Sequence, residues 1–564
     1  MVSQGVTRGV RWGTKPLSAP LLLASILILA ALCIVALPAS GHAAVAVRNV
    51  GGVHVPAKRV YKQAFQDKQH RKVKALKRSR AWTPRTPLVI ANPYGTCNTG
   101  LYVFFKTKAR RVVTYTVHSE GFQDFTRTVK TGSNVRTKKH EFLLTGCVQG
   151  HLNTVRIDVA TARGRVLKSC TFAHWAPVRL NSRSVTSALL TTNDAQRLTG
   201  GLYAVFGSTQ VMEEDIPTNM HPAAALYDNS GTLRMEIPVV AYWPAGFLFK
   251  NHRMFYAVSH KKIVRMNATG RISRIYKLPS WYRYHHAYCF GHNGDLLMLG
   301  TSQTSITTTT EDLVLSMKLS TGAVTCLFDM KNLLGTYYWQ RRFEYTGEEP
   351  MDWAHLNSMD FIGQSDDLLL SSRETSTVVA VGDIYSPLQR GVRYMIGSQT
   401  FWSGTGYENK LLAQEGEFSL QAGQHAITYD GPVSYSTDSY YVSMFDNSFL
   451  ISRSRPDYAW NEDAEYSGCV FDRFDWSSPS RYRRYRVNPV LHTFTLDKSF
   501  DVAQSHFVSS TQNYNGNLVI GSGESNVVAE YTQDGELLQS MTFANDALRF
   551  YRAFKYDFTD FCFA

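Results

Sequence analysis

Acidic residues are missing from the first 50 positions, and Asp67 is the only one before residue 86. That stretch holds 15 lysines and arginines, so it carries +14 of the formal net charge of +15. The remaining 479 residues balance to about +1. A basic pI that comes from one end does not imply a nucleic-acid-binding surface. Long charged helical stretches are few. No C-x-x-C pair occurs among the 8 cysteines, which argues against a zinc knuckle or a thioredoxin-type site. No Gly-x-x-x-x-Gly-Lys-Ser/Thr loop is present, which argues against a Walker-type phosphate site. No Cys-x-Pro-x-Arg segment is present either, which excludes the sulfatases built on a modified cysteine.

Charged residues make up 19% and hydrophobic residues 44%, enough to build packed cores and to exclude a wholly disordered chain. The length allows two to four domains at about 100–200 residues each. With 30 Tyr, 30 Phe and 10 Trp, the composition favours β structure.

Arg8, Arg11 and Lys15 precede an uncharged apolar run from Leu21 to Leu37, followed by Pro38 and small residues. Basic, then apolar, then small is the order of a secretory signal. The run is also close to the ~20 residues that span a bilayer. Residues 1–46 are therefore expected to be a signal peptide or an N-terminal membrane anchor. Either one exports the body, to the medium, the periplasm or the outer face of the cytoplasmic membrane. No other stretch is long and apolar enough to span. Residues 47–85, with Lys58, Arg59, Lys72, Arg78 and others, show only a broken apolar stripe at Val60, Phe65, Val73 and Leu76. They are expected to form a solvated basic linker, or a stalk attracted to an anionic envelope surface. Cys33 lies in the apolar run, which leaves seven cysteines outside, an odd number that requires a free thiol. Cys97, Cys147 and Cys170 lie close enough in sequence for one disulfide among them.

From Leu88 to Phe172 the chain reads as short strands: Leu101–Thr107, Arg111–His118, His140–Thr145, Thr154–Ala160 and Arg165–Phe172. These predict a small antiparallel sandwich over residues 86–180, followed by a polar connector over 173–200. Beyond Gly200, short β runs recur around turns rich in Asx and glycine: Asp228–Gly231, Asn267–Gly270, His292–Asp295, Ser320–Gly322, Asn515–Asn517 and Gln533–Gly535. Each turn is placed where a tight hairpin needs positive φ. The spacing gives about six units of roughly 50–65 residues, and radial repetition protects their edges. The expected fold is all-β: a six-bladed β-propeller over residues 195–564, preceded by a small N-terminal β-sandwich domain.

Three histidine segments stand at similar offsets, each ahead of a strand rich in Leu or Val: His285-His286, His355 and His425. In a radial repeat, equivalent offsets converge on the axis. Arg373 follows one of those strands. A pocket of three imidazoles could hold zinc or copper. A guanidinium beside a metal dication is costly, however, and beside an oxyanion it is useful. The set therefore suits a small multi-oxygen anion, sulfate-like or phosphate-like, and no metal or other cofactor is expected. Neutral imidazole is also a competent nucleophile and acid/base near neutral pH. Trp353 could stack on an aromatic ring, although a tryptophan in this context is more often core.

Asp352-Trp353-Ala354-His355-Leu356-Asn357-Ser358, followed by Asp366 to Leu370 and Ser371-Ser372-Arg373, resembles the central motif of the bacterial aryl-sulfate sulfotransferases. Gln424-His425 with Met444-Phe445-Asp446-Asn447 resembles that family's nucleophile motif, and His285-His286 with Asn293 to Leu297 a third. Asn92-Pro93-Tyr94-Gly95-Thr96 and His140 to Gly146 resemble its N-terminal β domain. The likeness runs over about residues 86–560. It implies a six-bladed propeller that moves a sulfuryl group from a phenolic sulfate to a phenol without a nucleotide donor. It also implies that His425 becomes sulfohistidine in a ping-pong cycle. Arg373, His355 and His286 would bind the sulfuryl oxygens, and a histidine would assist proton transfer. His285, Asn357 and Trp353 are the further candidates for substrate contact. The implied partners are a small phenolic sulfate and a phenol, with no nucleic acid. Some members of the family pair as dimers, so the resemblance leaves a homodimer open. Where the family often has an acid after the His-His pair, this chain has Ala287, which leaves open whether His286 or His285 enters the site and what partners that imidazole.

Overall fold

The computed structural model describes residues 45–564 except 131–133, 179–184, 209–221, 241–244, 303–311, 348–350, 435, 437, 457, 544–549 and 559–564. The expected signal or anchor, with Cys33, lies outside the described residues, as does Cys562. No described helix is long and apolar enough to cross a membrane.

The body is a six-bladed propeller preceded by a small β-sandwich. Blades two, three and four are four-stranded antiparallel meanders starting at Leu248–Lys250, Tyr282–Phe290 and Leu356–Ile362. Blade five starts at His425–Pro432, and Ala413–Glu415 joins its far edge in parallel. Two closures lock the ring. The C-terminal strand Phe550–Tyr556 pairs with Leu202–Ser208 and becomes the innermost strand of blade one. Leu189–Thr192 pairs with Leu537–Thr542 and becomes the outermost strand of blade six, whose innermost strand is Ser510–Tyr514. The expected polar connector therefore contains a propeller strand, and the propeller begins before residue 195.

The glycines of the predicted turns adopt left-handed backbone where the hairpins need it. Gly231, Gly270, Gly322, Gly516 and Gly535 have φ between 71° and 90°. A Cβ there would be strained, so these positions set the blade register.

Two readings of the N-terminal region need correction. The first concerns residues 47–85, which are folded rather than a solvated linker. Val47–Arg48 adds a parallel strand beside Leu88–Ala91. The helix Gln63–Arg78 buries Phe65, Gln66, Gln69 and Val73. Gln66 explains the broken apolar stripe, because a polar side chain holds a core position. Its amide donates to the carbonyls of Val60 (2.9 Å) and Tyr94 (3.0 Å), and its oxygen accepts the Ile272 N–H of blade two (3.1 Å). A buried amide with its partners satisfied is tolerated in a core. The second correction concerns Leu101–Thr107 and Arg111–His118, which form one strand, Leu101–Ser119. Its first part pairs with Leu88–Ala91 and Thr137–Leu144, and its second with Phe125–Thr128 and Leu152–Ala160. One long strand thus serves two arrays. Arg234 of blade one, almost fully buried, binds this domain through the carbonyls of Gly146 (3.2 Å) and Gln123 (2.6 Å).

The disulfide expected among Cys97, Cys147 and Cys170 is absent. All three are buried free thiols, and Cys289, Cys326 and Cys469 are free as well. Burial pushes the Cys97 and Cys147 thiols up to about 12, so both are inert.

Candidate active site

The innermost strands of blades three, four and five deform at the same level. Their pairing shifts register between Tyr284 and Tyr288, between Leu356 and Ser358, and between His425 and Thr428. A non-glycine residue in left-handed backbone marks each place: His286 at φ 49°, His355 at 47° and Ala426 at 56°. A bulge re-aims the side chain beside it, and left-handed non-glycine backbone costs on the order of 1–3 kcal/mol. Three such bulges at one level bring histidines from three blades together. The His286 ring lies 5.1 Å from that of His355 and 5.7 Å from that of Tyr551. His425 feels the charges of Arg373, His355 and Arg552, and His286 those of His355, Arg552 and His425. The convergence expected from equal offsets is present.

His425 is buried. Its Nδ1 lies 2.8 Å from Asn447 Oδ1 and 3.0 Å from the Gly423 carbonyl. The Asn447 amide donates to the Ser505 carbonyl at 2.7 Å, which fixes its oxygen towards His425. Both neighbours of Nδ1 are acceptors, so Nδ1 carries the proton and Nε2 holds the lone pair. Consistently, Nε2 accepts a long hydrogen bond, 3.3 Å, from the Val508 N–H. Burial, with Arg373, His355 and Arg552 nearby, holds this imidazole well below its ordinary pKa despite the bond to Asn447. It is therefore neutral at neutral pH. Gln424 clamps the blades together. Its amide donates to Ser371 Oγ (3.1 Å) and to the Ser372 (3.2 Å) and Thr377 (3.1 Å) carbonyls of blade four.

His355 Nδ1 stands 2.5 Å from Asp352 Oδ2. Burial pushes the Asp352 carboxyl up, but His355 and Arg373 outweigh it and leave the group below the usual range. Arg373 is held through its backbone: its N–H donates to the His355 carbonyl at 3.2 Å. Its Nη1 donates to Glu374 Oε1 at 2.8 Å. Burial raises the Glu374 carboxyl, and Arg373 limits the rise. Asp352, His355 and Glu374 bring donor atoms within 4.8 Å of one another, a spacing that a metal could use. Arg373 already supplies positive charge at that place.

The His-His pair divides its roles. His286 joins the cluster, while His285 stands beside it with Nδ1 2.9 Å from His286 Nδ1. His285 is thus the partner that Ala287 does not provide. Burial, then the neighbouring His285, His355, Arg552 and His425, holds His286 well below its ordinary pKa. Trp353 is corrected as a substrate contact. It is fully buried against Tyr337 and Tyr338, its indole directed at Asp312 Oδ2 (3.5 Å). Asn357 is also fully buried and holds the Gln424 carbonyl at 2.8 Å, so it positions blade five rather than touching substrate.

Two residues near the cluster carried no sequence signal. Arg552 and Tyr551 stand on the C-terminal strand, which enters blade one only through ring closure. Arg552 Nη2 donates to the Asn357 carbonyl at 2.8 Å, which joins blade one to blade four. Tyr551 presents its ring to His286.

A propeller that gathers three imidazoles and a guanidinium on its axis, one imidazole neutral with a directed lone pair, defines a site for transfer of a small oxyanion. Residues 188–555 match the arylsulfotransferase (ASST) family, and residues 88–174 match the arylsulfotransferase Ig-like domain. The chain belongs to the arylsulfotransferase family and is a sulfotransferase. No curated protein matches it. Solved structures that align with it include an inactive variant of virginiamycin B lyase from Staphylococcus aureus, with 9% identity, 64% of this chain, 90% of that chain and a TM-score of 0.31. An auxiliary nutrient binding protein from Bacteroides thetaiotaomicron aligns at 10% identity, covering 80% and 96%, with a TM-score of 0.30. A protein from Lactobacillus plantarum aligns at 11%, covering 79% and 100%, with a TM-score of 0.34. Likeness at this level carries no argument about this chain.

Proposed function

We propose that this sulfotransferase moves a sulfuryl group from a phenolic sulfate ester to a phenolic acceptor in a ping-pong cycle through a sulfohistidine at His425. In the first half, the Nε2 lone pair attacks sulfur and the bond from sulfur to the aryl oxygen breaks. The electron pair leaves on the phenolate oxygen, which takes a proton from His355. Asp352, at 2.5 Å, stabilises the His355 imidazolium that precedes this transfer. In the second half the acceptor phenol returns a proton to His355, and its oxygen takes SO₃ from Nε2. Arg373 and His286 face the sulfuryl oxygens, where charge spreads in the transition state, and a fixed donor there contributes about 10²–10³ in rate.

The observation that carries this reading is the pair of acceptors at His425 Nδ1, Asn447 Oδ1 and the Gly423 carbonyl, which call for the proton there and leave the lone pair on Nε2. The test is consumption of 4-nitrophenyl sulfate with and without phenol. Acceleration by phenol, with parallel double-reciprocal lines, is expected. Equal release in both would make the protein a hydrolase, and no release in either would make it a binding protein.

A further inference from the structure

Blade five carries a long insertion at the level of the histidines. Its second strand, Tyr440–Asp446, ends beside Asn447, the partner of His425, and the chain returns only at Ser480–Asn488. In blade four the corresponding connection is only Arg373 to Ser376. The insertion lies against blade four. The Arg453 N–H donates to Glu374 Oε2 at 2.5 Å, and Arg455 Nη1 donates to the Phe401 carbonyl at 2.7 Å. Glu374 is also the carboxylate that Arg373 Nη1 bonds at 2.8 Å, so one side chain joins the insertion to the active-site arginine.

Residues of the insertion line a cavity of about 640 Å³. Part of the lining is a fixed aromatic array. The Tyr458 and Trp460 rings meet at 4.7 Å, Trp460 stacks on Phe401 at 5.1 Å, and the Arg455 guanidinium lies 4.5 Å from the Tyr458 ring centre. The Tyr458 hydroxyl donates to Asp463 Oδ2 at 2.9 Å, which anchors the array. Ile451 and Phe471 also line the cavity, yet remain 44% and 41% exposed. Aromatic and apolar surfaces around a space of this size suit a flat ring. Arg453 lines the cavity with an exposed side chain. Its backbone is committed to Glu374, but among the described residues its guanidinium forms no hydrogen bond or ion pair. Its charge reaches Asp352, which is already paired with His355, as Glu374 is with Arg373. Neither carboxylate lines the cavity, and no acidic side chain does among the described residues. Arg455, committed to Phe401 and Tyr458, adds positive charge only.

We propose that this cavity holds the ring of a phenol that carries a second, anionic substituent of the carboxylate kind, and that Arg453 reads the anion. The proposal rests on the phenolic acceptor of the transfer cycle. A guanidinium with its donors free presents a planar fork that a carboxylate matches with two parallel bonds. The same fork left empty by a neutral ring gives no such bond, so charge on the acceptor is selected. A single side chain, Glu374, stands between Arg453 and Arg373, so the substituent rests on Arg453 while the phenol oxygen reaches the sulfuryl group.

The experiment compares 4-hydroxyphenylacetate with its methyl ester, which has the same phenol and no charge. Calorimetric titration of the full protein without donor reads binding, and 4-nitrophenyl sulfate as donor reads transfer. The acid should bind at least about tenfold more tightly than the ester, and its kcat/KM should exceed the ester's by a similar factor. Arg453→Gln alters an exposed side chain and keeps the backbone bond to Glu374, and it should bring both ratios close to unity. Phe471→Ala should weaken acid and ester alike, because it removes part of the surface that holds the ring. Melting curves control for folding. No heat with the acid, or equal affinity for acid and ester, overturns the proposal. So does a ratio that survives Arg453→Gln, or an affinity for both compounds that Phe471→Ala leaves unchanged. A binding ratio that depends on Arg453, with no transfer to either compound, upholds the cavity and refutes the transfer cycle instead.

Discussion

Replacing Asn447 by Asp perturbs the nucleophile through one atom. Asn447 Oδ1 is 2.8 Å from His425 Nδ1, so the variant sets a carboxylate where a neutral oxygen stood. Unit charges at that distance attract by about 6 kcal/mol at an effective dielectric of ~20, which is a ceiling. Opposite charges this close shift a pKa by about 1–3 units. His425 starts well below its ordinary value, mainly because it is buried. The variant raises it from there. Protonated imidazole has no lone pair, so reactivity falls as pH drops through the raised pKa. The unaltered enzyme stays on its plateau through neutral pH. The assay is the burst of 4-nitrophenol in a single turnover without acceptor, measured from pH 5 to 9, with a melting curve as folding control. The acid limb of the variant should move up by at least about one unit, with the rate recovering at alkaline pH. Superimposed profiles would refute the assignment of lone pair and proton on His425.

Four further outcomes follow from the geometry. Arg373→Gln should lower kcat by about 10²–10³ in steady-state assays, and it should also lower the melting temperature, because buried Glu374 loses its ion-pair partner at 2.8 Å. His355→Gln should slow donors with poor leaving groups, such as phenyl sulfate, more than 4-nitrophenyl sulfate, because it removes a proton donor. Lys555→Met should destabilise the ring closure by about 3–5 kcal/mol in denaturant unfolding, because Lys555 Nζ bonds buried Glu530 (2.7 Å) and Tyr203 (3.0 Å) where blades six and one meet. Alkylation of denatured, unreduced protein should label Cys97, Cys147, Cys170, Cys289, Cys326 and Cys469, and the peptide map checks each.

Much of the propeller was legible because its signals are local. A glycine with positive φ at 231, 270 or 535 marks a hairpin without reference to the rest of the chain. The histidines were legible because equal offsets in a radial repeat become one place. What escaped is non-local. Gln66 and Gln69 hide the inner face of the helix Gln63–Arg78, since their burial depends on partners in other segments. Leu101–Ser119 looked like two strands because its middle, from Lys106 to Arg111, is mostly polar where it passes from one array to the other. Arg552 reaches the axis only because the last strand closes the first blade, a fact of topology with no mark in the residues around it. Trp353 misled by its place in the motif. It lies two residues before His355 and faces the core.

The most direct test of the nucleophile is intact-mass spectrometry after brief exposure to 4-nitrophenyl sulfate without acceptor, followed by peptide mapping. One acid-labile SO₃ adduct per chain, on His425, lost on adding phenol and absent from a folded His425→Ala variant, is predicted. An adduct on another residue, or full turnover by that variant, would contradict the account.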